Sequence, residues 1–175
     1  MKKFFFLLTF IFFITNPVIA NNIATVDIQL IMNTSVAGID LKKQVSSIEK
    51  KKIASLKKAE DNIKDKEKKL VDKKNILSED EFKKEASKLK LEINKFNLMK
   101  RNEIKDFENK KIQYNQKLLL SIQQILGAYA KSNDITLLLQ KKNIVMGSKD
   151  IDITSDILTI LNKKIKEINL KWKTL

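Results

Sequence analysis

The feature that most constrains this chain is a long stretch, residues 39–126, that contains neither glycine nor proline. Glycine and proline are the residues that most often interrupt helices, so their absence permits helices of unusual length. In the first half of this stretch Leu56, Ile63 and Leu70 are each followed, seven residues later, by another apolar residue, which is the repeat of a coiled-coil seam. We therefore predict a long helix from about Ile39 with a narrow apolar stripe. The stripe consists of Leu41, Val45, Ile48, Leu56, Ala59, Ile63, Leu70 and Leu77.

A second helix is predicted to start inside the same stretch. Ser78 can cap the backbone amide of Glu81 while the Glu81 carboxylate reaches back, which is the pattern of a capping box. Two long helices joined by so short a connection must run antiparallel, so we predict a coiled-coil hairpin with arms of about 55 Å. Lys66 and Lys100 take seam positions; they either weaken the packing or lay their alkyl stems along it. The second seam consists of Phe82, Ala86, Leu89, Ile93, Phe96, Ile104, Phe107, Tyr114, Leu118, Ile122, Ile125 and Tyr129.

Shorter elements flank the hairpin. Residues 23–28 predict a strand, and residues 135–140 and 144–146 predict a strand hairpin around a turn at residues 141–143. Residues 152–156 supply a capping residue and a first-turn acid for a final helix. Three short strands leave unpaired edges, so either helices cover them or subunits share the sheet. The apolar side of the final helix consists of Ile157, Leu158, Leu161, Ile165 and Ile168.

The amino terminus predicts a secretory signal peptide. Lys2 and Lys3 precede an apolar run at residues 4–14, and cleavage is expected between Ala20 and Asn21. The run is too short to cross a hydrocarbon core of about 30 Å, which argues against an uncleaved anchor. A cleaved signal places the mature chain in the periplasm. Because the sequence has no cysteine, its stability must come without disulfides.

The composition removes most catalytic chemistry. The 175 residues include no histidine and no cysteine, which excludes a usual zinc site, a cysteine nucleophile and a Ser-His-Asp triad. The three glycines are isolated and cannot form a phosphate-binding loop. The acids at residues 79–81 sit at a helix cap, which offers no pocket for acid–base catalysis. We therefore predict no enzyme activity, no cofactor and no metal.

The order of signal peptide, strand, long helical hairpin, two strands and closing helix resembles the Skp (OmpH-like) family of periplasmic chaperones. Residues 23–29, followed by Val36-Ala37-Gly38, are similar to the family's first strand and its small-residue step into the first long helix. Residues 152–158 are similar to its Asp-Ile-Thr-x-Asp-Val-Leu segment. The chain departs from the family at Gln140, where members often have Asp, and in an extension of residues 169–175 that carries Trp172.

The resemblance implies a mostly helical trimer in which strands from three subunits form a shared β-body and three hairpins enclose a cavity. We divide the chain into the signal peptide 1–20, a body of residues 21–40 and 130–175, and arms of residues 41–129. The resemblance also implies a holdase that needs no ATP and binds unfolded outer-membrane β-barrel proteins in the cavity. The rival interpretation is an exported coiled-coil adaptor of an envelope complex that binds no unfolded chain.

Positive charge dominates the chain, which has a net charge of +14. A dense basic run on the first helix is expected to lie opposite a second basic group on the other helix. Together they would form a basic belt that attracts an acidic unfolded chain; the alternative is a solvated face that only keeps the protein soluble. The belt consists of Lys50, Lys51, Lys52, Lys57, Lys58, Lys100, Arg101 and Lys105.

Arg101 is the only arginine, whereas nucleic-acid recognition favours the arginine fork, so no nucleic acid partner is expected. Transient contact with an anionic membrane surface or lipopolysaccharide is a further expectation from the charge.

Overall fold

The computed structural model describes residues 22–168. The predicted cleavage site between Ala20 and Asn21 and the extension that carries Trp172 lie outside the described residues. The long helices and the small sheet confirm the mostly helical fold class. In chain order the elements are β1 (Ile23–Val26), α1 (Ile28–Thr34), α2 (Val36–Asp72), α3 (Glu79–Ser132), β2 (Leu137–Gln140) and α4 (Thr154–Lys164), with 3-10 turns at Lys141–Asn143 and Lys149–Ile151.

The long hairpin is formed by α2, with 37 residues, and α3, with 54. At 1.5 Å per residue these helices extend about 55 Å and about 80 Å. The predicted capping box at the start of α3 is confirmed. Ser78 Oγ accepts from the Glu81 amide at 3.4 Å, and the Glu81 carboxylate accepts from the Ser78 amide at 3.1 Å. Hydrogen bonds from the Ser78 side chain and backbone lower the pKa of Glu81, so this acid serves as a helix cap.

The hydrophobic core lies at one end of the hairpin, where β1, α1 and α4 pack on the beginning of α2 and the end of α3. From here on this end, residues 22–48 and 109–168, is termed the body; it is larger than the body predicted from sequence, because the core includes both ends of the hairpin. Its most deeply buried side chains include Ile31, Leu118, Ile122, Ile157 and Leu161. The remainder of the hairpin, residues 49–108, is termed the outer arm. Ile63 and Phe107 are the buried side chains of the outer arm, so the seam there is covered only in part.

The sheet of the body has two parallel strands. Ile23 lies opposite Leu137 and Val26 opposite Gln140. Parallel strands need a long crossover connection, which here is the entire helical hairpin. On the other edge of β1, the Thr25 carbonyl accepts from the Ile153 amide at 2.9 Å. The segment before α4 is therefore tied to β1 from the side away from β2.

The predicted strand hairpin at residues 135–146 is wrong in its second half. Residues 144–146 form no strand, although β2 confirms the first one. The Ile144 amide bonds back to the Lys141 carbonyl at 3.1 Å within a 3-10 turn, so the chain bends away from β2 instead of returning along it. Val145 and Met146 are almost fully exposed. The apolar run with β-branched Ile144 and Val145 indicated a strand, but no strand in the described residues lies beside it.

A short helix, α1, replaces the end of the predicted first strand. Asp27 is the N-cap of α1, and its carboxylate accepts from the Leu30 amide at 2.8 Å. Side-chain capping by Asp27 competes with strand geometry, which is why β1 ends at Val26. An apolar β-branched residue, Ile28, consequently begins a helix where we predicted a strand.

The junction between α1 and α2 depends on small side chains. Ser35 caps α2 by accepting from the Gly38 amide at 3.1 Å, so α2 begins at Val36 and not near Ile39. A Cβ atom at position 38 would overlap the carbonyl oxygen of Met32. Gly38 therefore permits the close approach of the two helices.

The closing helix is shorter than predicted. α4 ends at Lys164, so Ile165 and Ile168 lie beyond it, although both still pack against the core. The division between body and arms at residues 40 and 130 stays a prediction. Within residues 22–168, every helix is too short or too polar to span a bilayer.

Candidate functional site

Three ion pairs join the two helices of the outer arm. They are Lys52–Glu103, Glu60–Lys100 at 3.2 Å and Lys66–Glu92. As position along α2 advances, the partner position along α3 falls, so the helices run antiparallel. Residues 50–58 of α2 consequently lie beside residues 98–106 of α3, and the two basic groups of the belt share one level of the arm.

Two of the eight belt residues are committed to structural contacts. Lys52 pairs with Glu103 and its side chain is only 14% exposed. Lys100 pairs with Glu60, and its ammonium lies 5.8 Å from the centre of the Phe96 ring. These cations are largely neutralised within the arm, so we assign them to the hairpin and not to a binding surface.

The other six belt residues present free positive charge. They are Lys50, Lys51, Lys57, Lys58, Arg101 and Lys105, and all are exposed. Arg101 Nε donates to the carbonyl of Asn97 at 3.4 Å, one turn earlier. Within the described residues none of the six has a carboxylate partner at ion-pair distance. These six residues of the belt can therefore act on an external anion without first breaking an internal ion pair.

The two lysines at seam positions each form an ion pair with an acid of the opposite helix. Lys66 reaches Glu92 and Lys100 reaches Glu60 across the two helices. A hydrogen bond from Lys64, followed by one from Lys100, lowers the pKa of Glu60, so this acid stays ionised. Sequence left open whether these lysines weaken the seam or lay their alkyl stems along it; the structure adds a cross-helix ion pair at each of them.

Clefts open between the helices of the outer arm, and the one nearest the tip, of about 360 Å³, lies between residues 66–73 of α2 and 85–92 of α3 and is termed the tip groove. The basic cleft, of about 620 Å³, lies between residues 55–66 of α2 and 92–99 of α3. The acidic cleft, of about 130 Å³, lies nearer the body, between residues 49–56 and 103–108. The basic cleft and the acidic cleft both have apolar floors. Phe96 contributes to the floor of the basic cleft, and Phe107 contributes to the floor of the acidic cleft. Phe96 is thus partly exposed in the basic cleft, whereas Phe107 is buried beneath the acidic cleft.

A polar cluster in the body fixes the segment before α4. Lys141 Nζ lies 2.6 Å from Asp152 Oδ2, and Asp152 Oδ1 accepts from the Thr154 amide at 3.0 Å. The Thr154 hydroxyl in turn accepts from the Asp27 amide at 2.9 Å. Burial raises the pKa of Asp152, but the bonds from Lys141 and Thr154 outweigh burial and lower it to about 2. This cluster anchors β1, the end of β2 and α4 to one another.

The acids that neutralise part of the belt were missed by sequence reasoning. Glu60 and Glu103, the partners of Lys100 and Lys52, were not weighed, although the predicted turn near Ser78 fixed which positions face each other. That register was the available signal. Among the described residues, no group of three or more acidic side chains is placed to hold a metal ion.

Comparisons with known proteins agree with the described geometry. The model of a family described as "Outer membrane protein (OmpH-like)" matches residues 22–161, which confirms the resemblance inferred from sequence. A solved structure from Caulobacter crescentus CB15, described as a candidate OmpH-like outer membrane chaperone, superposes with a TM-score of 0.82 at 16% identity. The match covers 88% of this chain and 91% of that one. Among curated proteins, none matches the sequence.

Proposed function

Because the chain belongs to the OmpH-like family of outer membrane proteins, we propose that it is a periplasmic holdase. It binds unfolded outer-membrane β-barrel proteins and prevents their aggregation without ATP or another cofactor. The fold shared with a candidate outer membrane chaperone supports this role. The proposed action consists of binding and release, with no covalent step.

The observation that carries the proposal is the set of six exposed, unpaired basic side chains at mid-arm. Cations that lack internal partners attract an acidic chain over about one Debye length, roughly 10 Å at 0.1 M salt. Each exposed contact contributes only up to about 1 kcal/mol. A client held by many such contacts is retained as a whole, yet each contact breaks easily, which suits later transfer to another binder.

The functional unit is proposed to be a homotrimer whose subunits share the sheet of the body. The two-stranded sheet leaves β2 with a free edge in the described chain. Large apolar side chains near this edge are exposed: Leu137, Leu139, Val145 and Met146. A second and third copy would cover this surface and pair the edge. Light scattering of the mature protein should give the mass of three chains; a single-chain mass at all concentrations would contradict the trimer.

The proposed location follows from the sequence. Export should remove residues 1–20 and leave Asn21 first, which the intact mass of periplasmic material measures. The belt is also proposed to make transient contacts with an anionic membrane surface or lipopolysaccharide, because the same free cations attract phosphate.

The test is suppression of aggregation. A β-barrel precursor is diluted from urea into buffer with the mature protein and without nucleotide, and light scattering is recorded. The parent should suppress scattering. A belt variant with Lys50, Lys51, Lys57 and Lys58 changed to Gln should capture the client more slowly and with a smaller salt dependence. Lys52 is left intact because Glu103 would lose its partner.

A matched control removes the same charge at the tip of the arm: Lys68, Lys73, Lys74 and Lys84 changed to Gln. These lysines are exposed and, like the belt residues, have no ion-pair partner in the described chain. If both variants captured the client equally slowly, net charge would explain the effect, and a role for the belt would be refuted. Failure of the parent to suppress scattering would refute the holdase and favour the structural adaptor.

A further inference from the structure

The basic cleft has the chemistry of a binding subsite. We infer that it holds a short extended segment of an unfolded chain that combines apolar side chains with carboxylates. The inference rests on the proposed holdase function and adds to it a position on the arm and a class of ligand.

The floor of the basic cleft is apolar and firmly placed. Ile63, one of the two buried residues of the outer arm, forms its base, and Phe96 and Met99 line it from α3. On α2 the cleft is lined by Ala59 and Asn62, whose side chains are small and leave the volume unfilled. An apolar side chain that enters this space loses contact with water and gains contact with the floor.

The rim of the basic cleft is positive. Lys58, Lys66 and Lys95 surround the floor, with Glu92 as the one acid among the lining residues. Lys66 is neutralised by Glu92. Within the described residues Lys58 and Lys95 have no carboxylate at ion-pair distance, so one free cation stands on each helix. A ligand carboxylate can meet these cations while the apolar side chains beside it contact the floor.

The acidic cleft shows that an apolar floor alone does not define this ligand. Its floor includes Ile104 and Phe107, but three acids and a single lysine line it. The acids are Glu49, Glu103 and Glu108, and the lysine is Lys52. It is also smaller, about 130 Å³ against about 620 Å³. Lys52 pairs with Glu103 and Lys111 with Glu108, so Glu49 is the lining acid without an ion-pair partner among the described residues. The lining of the acidic cleft therefore offers no free cation to a carboxylate, and the two clefts differ in sign and size while sharing a floor of the same type.

The dimensions of the basic cleft indicate the size of the segment. Residues 55–66 of α2 line it, and at 1.5 Å per residue they span about 16 Å. An extended chain rises about 3.3 Å per residue, so about five residues lie along the cleft. Such a segment is short enough to occur many times in one unfolded client.

The inference is tested with the full mature protein and a labelled, unstructured peptide of leucine, phenylalanine and glutamate, followed by fluorescence anisotropy. Two companion peptides carry lysine for glutamate, or serine for the apolar residues. We expect the acidic apolar peptide to bind, and each companion to bind about tenfold more weakly. Equal binding of all three peptides would overturn the inference.

Two pairs of matched variants locate the site. Lys58→Glu with Lys95→Glu should weaken binding about tenfold, whereas Lys68→Glu with Lys90→Glu, at exposed positions outside the cleft, should change it less than about twofold. Equal losses in the two variants would overturn the inference, because net charge alone would then explain binding.

The second pair of variants tests whether filling the basic cleft blocks binding. Asn62→Trp occupies its volume without a change of charge and should weaken binding severalfold, while Asn94→Trp, exposed on α3 outside the cleft, should not. Circular dichroism verifies helicity in every variant. If Asn62→Trp keeps parental affinity while folded, the cleft is not the site.

The peptide and aggregation measurements distinguish the two proposals. If the parent suppresses precursor aggregation but binds no peptide, the inference fails and the holdase proposal stands. If the parent does not suppress aggregation, the holdase proposal fails.

Discussion

The body and the outer arm solve the problem of folding differently. The body gathers β1, α1, α4 and both ends of the hairpin around side chains with almost no exposed surface, such as Ile122 and Ile157. The outer arm spans residues 49–108 yet buries only Ile63 and Phe107. Its helices are linked instead by a partly covered seam and three ion pairs.

This difference in burial indicates which region supplies stability and which region is available for binding. Burial of apolar area is the main favourable term in folding, so the body supplies most of the free energy of unfolding. The outer arm adds little burial, and its side chains therefore remain available: free lysines, a basic cleft and exposed apolar groups. The region that holds the fold and the region proposed to meet a client are separate parts of one chain.

The largest expected effect breaks the body. Ile157→Ala removes a side chain with no exposed surface and should lower the free energy of unfolding by about 2–5 kcal/mol. Its counterpart Ile93→Ala, at a half-buried seam position of the outer arm, should cost about 1 kcal/mol, because water already reaches this side chain. Urea unfolding followed by circular dichroism measures both. Similar losses at the two positions would show that body and arm share one core.

The second prediction concerns pH and the body alone. The pKa of Asp152 in the folded protein is about 2, below its usual 3.8. The stabilisation is therefore present above about pH 4 and is lost as pH falls towards 2. A shift of this size corresponds to about 2 kcal/mol. Asp152→Asn should lose about that much stability at pH 7 and almost none more than the parent at pH 2, as measured by urea unfolding at both values.

The difference between parent and variant isolates Asp152, because both proteins keep every other carboxylate. A parallel loss of stability in parent and variant from pH 7 to pH 2 would mean that Asp152 does not contribute through its charge.

Local features of the fold were predictable from sequence, and non-local ones were not. The capping box at Ser78 and Glu81 needs only neighbouring residues, and the structure confirms it. The assignment of residues 144–146 to a strand failed because a strand requires a partner elsewhere, and the chain turns away after Lys141. Helix α1 was missed since Asp27 was weighed as part of a strand and not as a cap.

The candidate site was predictable in position but not in detail. The heptad pattern and the turn placed two basic groups at one level of the arm. Sequence could not show that Lys52 is covered and paired while Lys58 is free, because this depends on side-chain volumes and on acids of the opposite helix. The basic cleft likewise arises where Ala59 and Asn62 face Phe96 and leave space, which no linear pattern records.

The smallest expected effect on stability sharpens the comparison at a single ion pair. Glu92→Gln releases Lys66, and because both side chains are 46% exposed, the free energy of unfolding should change by less than about 0.5 kcal/mol. The freed lysine adds a third available cation to the basic cleft, so the acidic apolar peptide should bind about twofold to threefold more tightly. A matched change at Glu85→Gln, whose partner Lys88 lines the tip groove outside the basic cleft, should leave binding unaltered. If Glu92→Gln destabilised the protein by more than about 1 kcal/mol, ion pairs would stabilise the outer arm about as strongly as apolar burial stabilises the body. The two regions would then differ in the type of interaction and not in its contribution to stability.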